Sequence, residues 1–258
     1  MSELVHEERC GDVRVWTIDS PRARNAIDGA VADALAARIT DAENDPALRA
    51  VILTGAGDAV FCAGADLKLL SGGPEEERAA VDARVHALLA RLEALPLPVI
   101  GALNGVAMGG GCEVALACDL RIAEAHASVT FKHAAMSVTP GWGGLARLAR
   151  VVGPGIAAKL LFTALPMTAD EALRVGLFDE VVPKGKARAR ALALCAAISE
   201  TSPSAVANLK WLLQRSYGGV LTDEEERRVF LARTVSDDHR EALAAFVDKR
   251  TPRFGRRA

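Results

Sequence analysis

The chain has 258 residues, and 50% of them are hydrophobic, which is enough to bury the core of one large domain. The 31 basic and 33 acidic residues are spread throughout and give a formal net charge of −2, so the sequence offers no electrostatic surface for nucleic acid or for an anionic membrane. No apolar run approaches the roughly 20 residues that span a bilayer, and the first residues, MSELVHEERCGD, are too polar for a signal peptide. We therefore expect a folded cytoplasmic protein that acts on small molecules, with no nucleic-acid or membrane partner.

Predicted strands and helices alternate through the first half of the chain. Short apolar or alternating runs, several of them closed by glycine, indicate strands at 13–19, 50–55, 98–105, 119–124 and 128–132. Apolar residues at three- and four-residue spacing predict helices at 28–44 and 75–94. Such alternation is typical of an α/β core.

The last third of the chain carries helix start signals instead. Thr168 with Glu171, and Thr222 with Glu225, each match the capping box, in which a side-chain oxygen and a glutamate satisfy free amides at the start of a helix. A serine directly before Pro203 is typical of a helix with proline in its first turn. We therefore predict that the chain after about residue 145 is mostly helical.

Five cysteines give no sign of a disulfide framework or of a zinc site. Their number is odd, and no two have the CxxC spacing of a metal-binding or redox motif. We expect reduced thiols that behave as small apolar side chains.

Two glycine-rich loops are the strongest candidates for a functional site. A third stretch, GAGDAV at 55–60, begins like a dinucleotide-binding motif, but it lacks the last glycine and is not followed by a long amphipathic helix. The two loops are FCAGADL at 61–67 and NGVAMGGGCEVALACD at 104–119, and each leaves a predicted buried strand. Glycine and alanine allow a ligand to approach the backbone closely, and free amides at the start of a helix favour negative charge. Two such loops could direct two amides at one oxygen.

Together these loops resemble the crotonase, or enoyl-CoA hydratase/isomerase, superfamily. The similarity extends from RNAI at 24–27 to EALAAFVDKRTPRF at 241–254, and the pair F-AGAD and NG-GGGCE-CD is highly specific. The resemblance implies the α/β crotonase fold, with a repeated ββα spiral core over 1–200 and a helical region over 201–258 that supports oligomerisation and caps the active site. It also implies a homotrimer or a homohexamer.

In this family the substrate is an acyl-CoA thioester whose oxygen lies between two backbone amides. Matched to the motifs, these are the N–H groups of Ala65 and Gly110. Negative charge develops on that oxygen when the thioester becomes an enolate, and fixed amide donors stabilise this charge. The resemblance therefore implies neither a metal nor a separate cofactor, since coenzyme A is part of the substrate. Whether CoA or a phosphopantetheinyl carrier protein holds the acyl group stays open.

The resemblance assigns substrate contacts to nine further residues. They are Asp66 and Lys68 at the adenine and phosphate end of CoA, Arg22 and Arg24 near the pantetheine, Ala63 in the first loop, Met136 and Trp142 in the pocket wall, and Phe246 and Lys249 at the nucleotide of a neighbouring subunit. The charged members of this set also fit a solvated surface.

The acid/base residues depart from the hydratase pattern. Glu113 falls on the position of the first catalytic glutamate of the hydratases, three residues after Gly110. The second glutamate of that family comes twenty positions later, where this chain has His133. Addition of water needs one group to take a proton from water and another to deliver one to carbon, so the loss of a carboxylate puts plain hydration in doubt.

The sequence around His133 favours another reaction of the same family. The string F-x-H-x-x-M followed by P-x-WGG is similar to crotonase-fold decarboxylases that act on ethylmalonyl- or methylmalonyl-CoA, and loss of carbon dioxide generates the enolate without a base. We therefore place decarboxylation of a carboxyacyl-CoA slightly ahead of two alternatives: an enoyl-CoA hydratase/isomerase with an altered acid/base pair, and an inactive subunit that binds CoA thioesters. His133 also fits a structural histidine bonded to a backbone carbonyl.

Overall fold

The strands and helices of the computed structural model follow the alternation that the sequence predicts. The structure describes residues 4–66, 72, 74–255 and 257. Its strands in that part of the chain are β1 (Val5–Cys10), β2 (Val13–Ile18), β3 (Ala50–Gly55), β4 (Val60–Cys62), β5 (Val99–Leu103), β6 (Val106–Met108), β7 (Leu120–Glu124), β8 (Ser128–Thr130), β9 (Met167–Thr168) and β10 (Glu180–Val182). Its α-helices there are α1 (Gly29–Glu43), α2 (Glu75–Ala94), α3 (Gly110–Leu116), α4 (Gly144–Thr163), α5 (Ala169–Arg174), α6 (Ala187–Ser199), α7 (Pro203–Tyr217), α8 (Asp223–Thr234) and α9 (Asp237–Val247). The predicted α/β fold and its helical last third are confirmed.

The larger sheet has the strand order β1-β2-β3-β5-β7-β10. β1 and β2 form an antiparallel hairpin, and from β2 onwards the neighbouring strands are parallel. Successive side chains of a strand point to opposite faces, so Ala50 and Ile52 pack with α6 whereas Val51 and Leu53 face the core under α1 and α2. Both faces are therefore covered, which explains why these strands are continuous apolar runs.

The smaller sheet, of order β4-β6-β8-β9, positions the candidate site. β4, β6 and β8 are parallel neighbours. Beyond their carboxyl ends the chain enters residues 63–66, 109–110 and 131–133 respectively. Ligands of α/β proteins bind outside the carboxyl ends of parallel strands, so this edge brings three distant sequence segments to one place.

Helices begin where the capping signals predict. The Asp28 carboxylate accepts a hydrogen bond from the amide of Val31 at 2.8 Å and starts α1. Both predicted capping boxes are present at the starts of α5 and α8, and Ser202 caps α7 ahead of Pro203. Capping depends on residues within a single turn, which is why the sequence alone located these ends.

Helix α4 contains a break that the sequence analysis did not predict. Gly153 has φ 75° and ψ 163°, outside the helical region, and Pro154 follows it. Proline lacks a backbone donor and clashes with the preceding turn, so the two halves of α4 meet at a kink.

The cysteines pack as the sequence predicts. Cys62, Cys112, Cys118 and Cys195 are buried in the hydrophobic core, whereas Cys10 is half-buried. In the part of the chain that the structure describes, no helix is both long enough and apolar enough to cross a membrane.

A buried ion pair ties α7 to the larger sheet. Lys210 Nζ lies 2.7 Å from Asp119 Oδ2 and 3.0 Å from Leu97 O. We expect Lys210→Met to lower the free energy of unfolding by ~2–3 kcal/mol, because the largely buried Asp119 carboxylate loses its cation. Denaturant unfolding measures this. The exposed pair of Lys184 with Asp58 provides the control, and Lys184→Met should leave the free energy of unfolding nearly unchanged. Equal effects of the two substitutions would contradict the prediction.

Candidate active site

The two glycine-rich loops lie against each other. A Cβ atom added to Gly64 would stand 2.8 Å from Gly110 N and 2.8 Å from Met108 O, so only glycine allows this approach. The φ of Gly64 is 90°, a backbone conformation that side chains disfavour. The two motifs that the sequence analysis identified separately therefore form one surface at the edge of the smaller sheet.

Two backbone amides near this contact are free to bind a ligand. Ile27 forms a parallel bridge with Ala65. Its N–H donates to Gly64 O at 2.7 Å, and its carbonyl accepts from Asp66 N at 3.3 Å, so the N–H of Ala65 points to the other side. The N–H of Gly110 is at the first position of α3 and has no intrahelical acceptor. Among the described residues, neither amide donates to a backbone carbonyl.

The Glu113 carboxylate is buried in α3 and accepts three hydrogen bonds. Its Oε2 accepts from the amides of Trp142 at 2.9 Å and Gly144 at 2.7 Å. Its Oε1 lies 3.1 Å from His133 Nε2. Hydrogen bonds to the charged group offset the cost of burying it, and together they hold the carboxylate in one orientation.

Gly144, the second glycine of the WGG motif, has to be a glycine for a steric reason. A Cβ atom at Gly144 would lie 2.4 Å from Glu113 Cγ and 2.6 Å from its Oε2. Any larger residue would push the start of α4 away from the carboxylate. The motif that the sequence analysis used as a family landmark therefore places two amides on Glu113.

His133 is buried beside Glu113, just after β8. Its side chain is 9% exposed, and Nδ1 is buried with no hydrogen-bond partner among the described residues. An ionised carboxylate only accepts, so Nε2 carries the hydrogen that points to Glu113. Nδ1 is then the ring atom left to gain or lose a proton. The described residues do not supply the backbone carbonyl partner that a purely structural histidine would have.

Sequence and fold both match one known family. The model of the enoyl-CoA hydratase/isomerase family matches residues 8–257. The chain belongs to this family. It is 38% identical over 253 residues to a short-chain-enoyl-CoA hydratase from Clostridium acetobutylicum, with 94% of each chain covered. It is 35% identical over 258 residues to the 2,3-dehydroadipyl-CoA hydratase of Escherichia coli, with 98% of this chain and 99% of the relative covered.

A solved structure of the enoyl-CoA hydratase/isomerase family has the same fold. The crystal structure of an enoyl-CoA hydratase from Bacillus anthracis is 33% identical and gives a TM-score of 0.93, covering 97% of this chain and 98% of that one. The predicted crotonase superfamily is thus confirmed, and the chain is an acyl-CoA-processing enzyme of that superfamily. These relatives are named as hydratases, so they lend no support to the decarboxylase-like branch that the sequence analysis placed first.

Of the residues that the family resemblance assigned to CoA, four lie on or beside the first loop. Ala63 donates its N–H to Arg24 O at 3.2 Å, which fixes the turn containing Arg22 against this loop. Asp66 is half-buried, directly after Ala65. Lys68 lies outside the described residues. The side chains of Arg22 and Arg24 are exposed, as a contact with the pantetheine or a solvated position would both require.

The remaining assigned residues differ in exposure. Trp142 is buried, whereas Met136, in a 3-10 helix (Ala134–Met136) after His133, is exposed. Phe246 is 84% exposed near the end of α9, and Lys249 is exposed just beyond that helix. Such exposure of a phenylalanine is what a contact with a second subunit would use.

Two residues of α2 hold the loop before α4, and the sequence analysis did not identify them. Asp82 Oδ1 accepts from Trp142 Nε1 at 2.6 Å. His86 Nδ1 donates to Gly141 O at 2.9 Å, since a carbonyl only accepts. Positions 82 and 86 lie one helical turn apart on one face of α2, but this spacing does not reveal the loop they contact.

A third residue of α2 reaches the same loop through an arginine. Glu93 accepts from Arg147 Nε at 2.9 Å, and Arg147 donates to Trp142 O at 2.7 Å. Burial alone would raise the pKa of Glu93, but Arg150 and Arg147 hold this pKa below its ordinary value. The pair therefore stays ionised at neutral pH and supports the loop through the carbonyl of Trp142.

The cysteines of the two loops are not nucleophiles. Burial raises the pKa of Cys62 to about 12 and also raises the pKa of Cys112. A thiol that stays protonated at neutral pH is a poor nucleophile. In the described part of the chain, no three potential metal-binding side chains are grouped together.

Proposed function

We propose that this protein is a lyase that converts an acyl-CoA thioester through its enolate. The Ala65 and Gly110 amides donate hydrogen bonds to the thioester oxygen, and the Glu113–His133 pair carries out the proton transfer. Two free amides on adjoining loops support the first role, since fixed donors stabilise an enolate oxygen without reorganisation. The buried contact between the two side chains supports the second.

The observation that carries the choice of reaction is the hydrogen-bonding of Glu113. Both of its oxygens are occupied, Oε2 by two amides and Oε1 by His133. The carboxylate therefore acts as the partner of the imidazole, and His133 Nδ1 is the atom that exchanges a proton with the substrate. A single proton carrier suits a reaction that needs a single proton transfer.

Decarboxylation of a carboxyacyl-CoA needs one such transfer. The bond between the α-carbon and the carboxylate breaks, its electron pair enters the enolate, and carbon dioxide leaves. Protonated His133 then delivers its Nδ1 proton to the α-carbon, and the product is the shortened acyl-CoA. An imidazole at this position also avoids the repulsion that a second carboxylate would exert on the substrate's own carboxylate.

Hydration of an enoyl-CoA is the second candidate. Two relatives that are named as hydratases favour hydration. The one from Clostridium acetobutylicum is 38% identical to this chain and the one from Escherichia coli is 35% identical. In this reaction His133 takes a proton from water while the β-carbon is attacked, and the resulting enolate needs a proton at its α-carbon. With Glu113 held by three donors, His133 must supply both transfers in turn, accepting a proton at Nδ1 and then delivering it from the same atom.

A panel of thioesters distinguishes the two reactions. Methylmalonyl-CoA, ethylmalonyl-CoA and crotonyl-CoA are each incubated with the enzyme, and both carbon dioxide release and loss of the enoyl double bond are measured. Turnover of a carboxyacyl-CoA without hydration of crotonyl-CoA is the expected result. The reverse outcome would establish the hydratase reaction, and the absence of both would contradict the lyase proposal.

The enzyme is further proposed to be a trimer or a pair of trimers. Large apolar side chains are exposed on α7, α8 and α9, including Leu213, Phe230, Leu243 and Phe246. Exposed apolar surface of this extent is typical of a subunit interface. Light scattering at assay concentration should therefore give a mass three or six times that of the chain. A fully active monomer would contradict this prediction.

A further inference from the structure

The ring of Trp142 lies directly on Gly110. A Cβ atom at Gly110 would be 2.2 Å from Cζ3 and 2.7 Å from Cε3 of the indole, so the ring occupies the space beside that α-carbon. The backbone N–H of the same residue donates to Glu113 Oε2 at 2.9 Å. One buried residue thus contacts both the glycine whose amide faces the thioester oxygen and the carboxylate that orients His133.

The indole is held in place by a residue at the surface. Trp142 Nε1 donates to Asp82 Oδ1 at 2.6 Å, a short hydrogen bond to a charged acceptor. Asp82 is exposed on α2, next to Val81, which is buried in the core. A Cβ atom at Gly141 would lie 3.2 Å from either Asp82 oxygen, so the carboxylate sits against the loop itself. The position of the ring therefore depends on a helix that contributes no atom to the proposed chemistry.

We infer that Asp82 is a positioning residue, which acts through Trp142 to hold the Gly110 amide and the Glu113 carboxylate in their working geometry. A substitution away from the chemistry that misplaces a reacting group by about 1 Å can lower activity by ~10²-fold. The inference rests on the proposed function, because that function assigns the roles of Gly110 and Glu113.

Four variants and one control test the inference. Asp82→Ala removes the acceptor, and Trp142→Phe removes the donor but keeps an aromatic ring over Gly110. Asp82→Asn retains an oxygen that accepts from the indole. The double variant combines the first two. The control is Asp33→Ala, which removes another exposed acid, one that pairs with Arg84 of α2.

We expect Asp82→Ala and Trp142→Phe each to lower kcat by ~10-fold with a smaller change in KM, because both alter the geometry around Gly110 and Glu113. In the Trp142→Phe background, Asp82→Ala should change kcat by less than about twofold, since the hydrogen bond is already absent. Asp82→Asn should recover most of the activity, and Asp33→Ala should match the wild type. Independent, multiplying effects of the two single variants would overturn the inference, as would equal kcat values for Asp82→Ala and Asp33→Ala.

The same variants separate this inference from the proposed function. If the wild type turns over none of the thioesters in the panel, the proposed function fails. The positioning role is then tested by the ratio of affinities for acetyl-CoA and CoA, which differ only in the thioester group. A ratio lowered by Asp82→Ala and Trp142→Phe but not by Asp33→Ala would support the role of Asp82. An unchanged ratio would reject it.

Discussion

Glu113→Gln is expected to lower turnover by ~10²-fold or more while the fold and the affinity for CoA stay nearly intact. The glutamine oxygen can accept from the two amides that Oε2 accepts from now, so the start of α4 keeps its place. The glutamine NH₂ group then faces His133 and donates to Nε2. The imidazole hydrogen must move to Nδ1, which can no longer accept a proton, and the ring loses the carboxylate that stabilises its protonated form. Steady-state kinetics and CoA titration measure both expectations.

A second buried glutamate provides the control for this substitution. Glu124, at the end of β7, is 3% exposed and accepts from the amide of Ala187 at 3.4 Å. Glu124→Gln removes a buried charge of the same type without touching the candidate site, so it should leave kcat unchanged. If the Glu113→Gln and Glu124→Gln variants have the same kcat, Glu113 has no part in the mechanism.

His133→Glu should have opposite consequences in the two candidate reactions. Because Nε2 lies 3.1 Å from Glu113 Oε1, the substitution places two carboxylates together. A hydratase would then regain the two-glutamate arrangement of its family, and water addition should persist or increase. A decarboxylase would meet a further anion beside the substrate carboxylate, and carbon dioxide release should fall by ~10²-fold through weaker substrate binding.

His133→Gln separates the charge of this side chain from its shape. The amide can still donate to Glu113 but cannot titrate between about pH 5 and 8. Either reaction should therefore lose its proton carrier, and the variant should be slow with both substrate types, whereas its thermal unfolding should resemble that of the wild type. If neither substitution changes either activity, His133 is structural, and the preference for decarboxylation loses its main support.

The sequence alone was sufficient to predict the fold and the main features of the candidate site. The alternation of apolar runs, the capping boxes at Thr168 and Thr222 and the two glycine-rich loops are all short-range patterns. Short-range patterns depend on residues within a few positions of each other, and the features that they predict are present in the structure. Family resemblance then supplied the positions of Glu113 and His133, which the fold brings into contact.

The contacts of α2 with the loop before α4 could not be predicted in this way. Asp82 and Trp142 are sixty positions apart, and an exposed aspartate on a helix gives no indication of its partner. The requirement for glycine at 144 was equally hidden, because it comes from the side chain of Glu113 in another helix. Each of these contacts depends on how α2, α3 and α4 are rotated and spaced relative to one another, which local sequence does not encode.

By itself, then, the sequence determined strands β2, β3, β5, β7 and β8, the capped helix starts and the two small-residue loops, because steric limits and hydrogen-bonding needs of neighbouring residues decide these features. Only the tertiary structure decided that Glu113 has both oxygens occupied, that His133 Nδ1 is buried without a partner among the described residues, and that Asp82 reaches Trp142. The register of β6 and β8 sets the distance between Glu113 and His133, since these two residues follow neighbouring parallel strands of the smaller sheet. A hydrogen bond weakens steeply when its donor and acceptor move apart by a fraction of an ångström. Such contacts therefore exist only once the strands and helices have packed.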